Sequence, residues 1–280
     1  MTVLWVTDPH LNLLHPQNGA KAFAQYLAKE NPDARGLIIT GDIATGPTLE
    51  SALRQLAEGF EKPVYFVLGN HDYWFSSFKD IDRMAGSFEI PNLYWLNNGV
   101  CEIGPWAIVG VGGWYDAFHG NPWTRAEMAD FSEISELKPG LQNRERLLEL
   151  VRERAEQEAS TLSKLLLEAC QGPEKTILVA SHVVPYREAY KYNGAPGEEM
   201  WAPWFTSKIL GSLLDRFSHE NPEKTFISLA GHSHGSAVYR RSSNLTVYVG
   251  GAEYRAPDLA GILDPWKSCL TVKLPKVLSL

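Results

Sequence analysis

Val64-Tyr65-Phe66-Val67-Leu68-Gly69-Asn70-His71-Asp72 is an apolar run that ends in a glycine and three polar residues. A short run rich in β-branched and aromatic side chains, closed by Gly, predicts a strand buried on both faces. The amide, imidazole and carboxylate that follow carry metal-ligand and proton-transfer chemistry. The same arrangement recurs. Val3–Thr7 runs into Asp8-Pro9-His10, and Leu37–Thr40 into Gly41-Asp42. Thr176–Ala180 runs into Ser181-His182, and Thr225–Ala230 into Gly231-His232-Ser233-His234. In an open α/β sheet the carboxyl ends of parallel strands share one edge, so these distant side chains can converge there.

Outward from these strands, helical patterns near Ala20–Glu30 and Leu49–Phe60 complete a βαβ rhythm, which makes this an α/β chain. Asn31-Pro32-Asp33 stops the first helix, and Gly46-Pro47-Thr48 opens the second. Strands are expected at Leu93–Leu96, Val100–Ile103 and Ala107–Val111, with Asn97-Asn98-Gly99 as a hairpin turn between the first two, giving a mixed sheet. Leu147, Leu148, Val151, Ala155, Leu162, Leu165, Leu166 and Ala169 recur at helical spacing and predict one long packing helix over 143–170. Further strands are read at Ala237–Arg241, Leu245–Val249 and Leu270–Lys273. The segments 113–142 and 183–205 are long, aromatic-rich and poorly periodic, as expected of loops that frame a site. We read residues 1–280 as a single domain carrying these two insertions.

Composition narrows the function classes. Lys and Arg number 26 against 33 Asp and Glu, a net charge of −7, which disfavours broad neutralisation of nucleic-acid phosphates. The longest nearly apolar stretch, Trp106–Tyr115, is well short of the roughly 20 residues of a membrane helix. The N-terminus lacks the basic start and cleavage site of a signal peptide. Cys101, Cys170 and Cys269, with no Cys-x-x-Cys spacing, fit a reducing cytoplasm and exclude a thiolate zinc site.

Any metal must therefore be held by His, Asp, Glu or Asn. Asp8, His10, Asp42, Asn70, His182, His232 and His234 are more donors than one tetrahedral ion uses, and enough for two ions sharing a carboxylate. Mixed nitrogen and oxygen donors suit Mn, Fe, Co, Ni or Zn better than Ca. In such a pair, about 3.5–4 Å apart, a bridging water becomes a hydroxide nucleophile for phosphoester hydrolysis.

These motifs, in this order from residue 8 to residue 234, resemble the calcineurin-like metallophosphoesterase superfamily. The resemblance implies a four-layer αββα sandwich, two central mixed sheets flanked by helices. It implies that Asp8, His10 and His234 hold one divalent ion and Asn70, His182 and His232 the other, with Asp42 between them. His71 is similar to the family's non-ligand histidine, which protonates the leaving group or stabilises transition-state charge, and Asp72 is expected to orient its ring. Thr45 stands where many members carry Asp or His, the latter in DNA-repair nucleases.

The expected activity is that of a phosphodiesterase acting on a small nucleotide-like phosphoester. The alternatives are a phosphomonoesterase or protein phosphatase, a nuclease, or a silent metal-binding scaffold. His219 is expected at a helix end, His15 is a candidate for supporting the Asp8/His10 loop from behind, and His119, in the aromatic loop of Trp114 and Phe118, is a candidate pocket residue. Arg187 is read as a surface arginine or a phosphate-binding one. Tyr73, Trp74, Phe75, Trp114, Tyr115, Trp123, Tyr186, Trp201 and Trp204 supply aromatic surface for core, lid or a stacking leaving group.

Overall fold

The computed structural model of the chain describes residues 2–267 and 269–272. In chain order it runs β1 (Thr2–Val6), α1 (Gly19–Glu30), β2 (Ala34–Thr40), α2 (Gly46–Phe60), β3 (Val64–Val67), α3 (Phe78–Gly86) and β4 (Leu93–Trp95). There follow β5 (Cys101–Ile103), β6 (Trp106–Gly110), the short α4 (Asp130–Glu133), the long α5 (Arg144–Gln171) and β7 (Thr176–Ala180). The remainder holds β8 (Lys191–Tyr192), β9 (Ala195–Pro196), α6 (Ala202–Phe205), α7 (Lys208–Glu220), β10 (Thr225–Ala230), β11 (Ala237–Arg240), β12 (Leu245–Val249), β13 (Gly261–Asp264) and β14 (Cys269–Val272).

Two six-stranded mixed sheets result, ordered β14-β13-β1-β2-β3-β4 and β11-β12-β10-β7-β6-β5. In the first, β1 to β4 are parallel and β13 joins β1 antiparallel. In the second, β12, β10, β7 and β6 are parallel, with antiparallel β11 and β5 at the edges.

Strand alternation sorts the apolar side chains into three cores. Leu4 and Val6 of β1 pack with Phe23, Leu27, Leu53 and Leu56 of α1 and α2. Their neighbours Val3 and Trp5 turn the other way, into an inter-sheet layer with Ile108, Leu178 and Leu229. Ile177 and Val179 of β7 face Leu162, Leu166 and Leu214 of α5 and α7. Helices, sheet, sheet and helices therefore stack as the expected αββα sandwich. Each large apolar side chain fully buried this way contributes about 1.5–3 kcal/mol. Trp5, fully buried, satisfies its indole N–H on Thr40 Oγ1 at 3.0 Å.

The hairpin expected at Asn97-Asn98-Gly99 does not form. β4 pairs with β3 in the first sheet, Leu96–Asn98 makes a 3-10 turn, and β5 pairs with β6 in the second sheet. Leu96 is fully buried between the sheets, so inter-sheet packing overrides the local Asn-Gly signal and sends the chain across. The real hairpin is β5–β6, turned by Gly104 at φ 57°. Strand β13 was not read from the sequence, and Lys273, expected as a strand residue, lies outside the described residues.

Thr45 is the N-cap of α2, its hydroxyl 3.2 Å from that of Thr48, which gives this position a local structural task. Helix α5 is capped by Asn143, whose side chain accepts from the Arg146 N–H at 3.0 Å. Its first half packs in the α1–α2 core and its second half in the α7 core, so it spans both sheets. Among the described residues, no helix is long and apolar enough to cross a membrane.

Candidate metal centre

The C-terminal ends of β1, β2, β3, β7 and β10 deliver the seven expected donors to one place. Tight turns are needed there: Asp8, His10, Asp42, His232 and His234 all have left-handed φ, between 41° and 66°. Non-glycine residues held in this region signal a backbone over-determined by its surroundings, a common feature of functional sites. Two glycines make the approach possible. A Cβ on Gly69 would collide with Asp42 Oδ1, and one on Gly231 with Thr7 Oγ1 and Asp8.

Donor atoms of Asp8, His10, Asp42 and His234 all lie within 4.8 Å of one another. His10 Nε2 and His234 Nε2 are 3.3 Å apart, and His234 Nε2 is 3.4 Å from Asp8 Oδ1. Asp42 stands between this group and the remaining donors. Its Oδ1 is 3.3 Å from His182 Nε2, which is itself 3.0 Å from Asn70 Oδ1. The His182 and His232 rings are 4.8 Å apart.

Tautomers follow from the outer partners. His182 Nδ1 donates to the Thr40 carbonyl at 2.9 Å, and His232 Nε2 to the Trp204 carbonyl at 2.9 Å. Each ring then presents a lone pair on its other nitrogen. His182 Nε2 and Asn70 Oδ1 therefore face each other as two acceptors with no hydrogen between them. Asp8, Asp42, Asp72 and Asp130 are at most 1% exposed, and among the described residues none pairs with Lys or Arg. Facing acceptors and uncompensated buried carboxylates fit cations held at this spot.

The electrostatics agree. Burial pushes the His10 imidazole down to about 4. Burial, together with the neighbouring His182, takes His232 down to about 3. Burial also lowers His182. His234 is held above the usual value, its burial being outweighed by the Asp8 carboxylate. Burial would raise Asp8, but His182, His234 and His10 outweigh it and hold the carboxyl low. Asp42 is raised, by burial and then by the charges of Asp8 and Asp72, a cost that a nearby cation removes.

His71 sits at the rim, its side chain 17% exposed and Nε2 3.7 Å from Asp42 Oδ2. The structure places Asp72 differently from expectation. Its oxygens accept the backbone N–H groups of Ala44 and Gly69, both at 2.8 Å, so it ties the β2 and β3 turns together. Among the described residues it makes no hydrogen bond to the His71 ring; that ring lies instead on Trp74.

Of the aromatic candidates, Trp74 meets the site through His71. Trp114 and Tyr186 are buried in the cores. Arg187 donates to the Gly197 carbonyl at 2.7 Å and to Glu199 at 3.1 Å, holding the 183–205 insertion together. His119 bonds Thr206, His15 is exposed, and His219 lies in the last turn of α7. Asp130 and Tyr254 were missed. Asp130 lies in an aperiodic insertion with no motif around it. Tyr254, 55% exposed, has its ring 4.6 Å from that of His10 and 4.8 Å from that of His234. A signal existed: β12 is parallel to β10, so the segment after it, Gly250 to Tyr254, leaves the same sheet edge.

An αββα sandwich whose parallel strand ends carry such an Asp/His cluster defines a metallophosphoesterase. The chain belongs to the calcineurin-like phosphoesterase family, whose model matches residues 1–236. Its fold is similar to that of phosphopantetheinyl hydrolase from Mycobacterium tuberculosis, with 16% identity, TM-score 0.60 and coverage of 99% of this chain and 96% of that one. It is also similar to a dimetal phosphatase from Danio rerio, at 13% identity and TM-score 0.58 over 94% of this chain and 91% of that one. A third likeness is TT1561 of Thermus thermophilus, at 17% identity and TM-score 0.55 over 98% of each chain. No curated protein matches the chain in sequence.

Proposed function

We propose that the protein is a phosphodiesterase, dependent on two divalent metal ions, that hydrolyses a small nucleotide-like phosphoester. The observation that carries this reading is the shared carboxylate: Asp42 lies within 3.8 Å of His10 on one side and 3.3 Å of His182 on the other. Asp8, His10 and His234 would hold one ion and Asn70, His182 and His232 the other, with Asp42 serving both. Bound there, such ions supply activation of the nucleophile, orientation of the phosphate and neutralisation of its charge.

The chain itself does the rest. His71, lowered to about 2 by burial and by the neighbouring imidazoles His10, His182 and His232, is neutral at ordinary pH in the metal-free chain. A neutral ring donates an N–H hydrogen bond to a phosphate or leaving-group oxygen, and charge arriving with substrate favours its protonated form. Trp74 and Tyr254 flank the cluster and offer flat surfaces to a planar leaving group. The free thiols of Cys101 and Cys170 support a reducing, cytoplasmic location, and the apolar layer shared by the two sheets supports the reading of the chain as one domain.

Protein loaded with Mn²⁺ is expected to cleave bis-p-nitrophenyl phosphate faster than the monoester, and Asp42→Asn to abolish cleavage. Loaded protein inert to a broad panel of esters would instead leave a metal-binding scaffold. Cleavage of single- or double-stranded DNA in preference to small diesters would make it a nuclease.

A further inference from the structure

Asp130, in the short α4, is fully buried inside the 113–142 insertion. Its Oδ1 accepts hydrogen bonds from Asn70 Nδ2 at 2.8 Å and from Trp74 Nε1 at 2.6 Å, and its Oδ2 accepts from the Tyr115 hydroxyl at 2.9 Å. The ends of an Asn amide differ in chemistry: the oxygen ligates a hard cation and the NH2 does not. An acceptor-only partner on Nδ2 therefore decides which end faces the cluster. With Nδ2 held by Asp130, Asn70 Oδ1 is turned to His182 Nε2 at 3.0 Å. The second bond holds the indole on which His71 rests.

We propose that Asp130 is a positioning residue that sets Asn70 as a metal ligand and, through Trp74, sets the His71 ring, so that one insertion carboxylate aligns both halves of the chemistry. This rests on the two-ion reading given above. Outer partners of metal ligands typically contribute 10- to 100-fold in metal affinity.

The test uses full-length protein loaded with Mn²⁺, counting ions per chain by elemental analysis over a graded EDTA series, alongside kcat and KM for bis-p-nitrophenyl phosphate. Asp130→Asn removes the negative charge and leaves one acceptor oxygen where two took three hydrogen bonds, so the charge-assisted hold on Asn70 Nδ2 is lost. One of the two ions should then be stripped at about 10- to 100-fold lower EDTA, the other at the wild-type concentration, with kcat falling more than KM rises. Asp116→Asn is the control for simple loosening. Asp116 is a buried carboxylate of the same insertion that accepts from Phe118 N and Ile209 N. Its replacement should lower the melting temperature and leave both ions in place.

Combining Asn70→Asp with Asp130→Asn reverses the direction of the bond and should restore the second ion, while kcat stays low because the Trp74 N–H has lost its acceptor. A folded Asp130→Asn protein that keeps both ions at wild-type EDTA, equal ion loss in Asp116→Asn, or no recovery in the double exchange would each overturn the proposal. If Asp130→Asn alone does not fold, the double exchange decides: folded with two ions supports the pairing, and any other result overturns it. Failure of the two-ion reading is distinguishable, because it shows in the wild-type ion count before any substitution.

Discussion

The indole of Trp74 lies over the imidazole of His71, ring centroids 3.6 Å apart and planes 22° from parallel. Trp74, two residues downstream of the Gly69–Asp72 turn, thus supports the histidine of that motif that is not among the expected metal donors.

From that relationship, His71→Ala should leave the metal content nearly unchanged while slowing hydrolysis roughly 100- to 10,000-fold. The loss should be larger for alkyl than for nitrophenyl leaving groups, because a poor leaving group depends more on the proton or hydrogen bond it receives. Steady-state rates with elemental analysis check this, and loss of both ions would assign His71 to ligation instead.

Tyr254 touches the rings of His10 and His234 from outside and is half-exposed. Tyr254→Ala should raise KM for aryl diesters about 2- to 10-fold, the value of one aromatic contact, with kcat little changed. A methyl diester should show no such change. Equal effects on both substrates would mean that the ring supports the ligands and does not meet the leaving group.

The lowered imidazoles set a pH expectation. A histidine held below its usual value stays neutral until the pH falls to that lower value. In metal-free protein, His10 at about 4 and His232 at about 3 should therefore show neutral nitrogen shifts from pH 8 down to pH 5. His234, held higher by Asp8, should already be taking up a proton above pH 6.5. Imidazole ¹⁵N spectra across this range decide it. A His232 that titrates near the ordinary value would show water reaching the cluster.

Arg154 on α5 is the buried link behind the site. It bonds Asp82 at 2.6 Å and the Tyr73 hydroxyl at 2.7 Å, and pairs with buried Glu158 at 2.7 Å. Glu158 also accepts the Gly113 N–H at 2.9 Å. Arg154→Ala strands the Glu158 charge, so unfolding should become easier by about 3–5 kcal/mol in denaturant titration. Adding Glu158→Gln should recover part of that loss, since the stranded charge is then gone.

The sequence by itself determined the strand ends. An apolar β-rich run followed directly by a donor, with Gly between them after β2, β3 and β10, forces a buried strand to expose its chemistry at one edge, and parallel pairing gathers those edges. Asp8, His10, Asp42, Asn70, His182, His232 and His234 were legible for that reason. Tertiary structure decided what has no local period: the crossing of the chain at Leu96, the turn of Asp72 toward backbone N–H groups, and the arrival of Asp130 and Tyr254 at the cluster. Those placements depend on which surfaces the two sheets bury between them and on which donors are left needing an acceptor, and both quantities exist only once distant segments have packed.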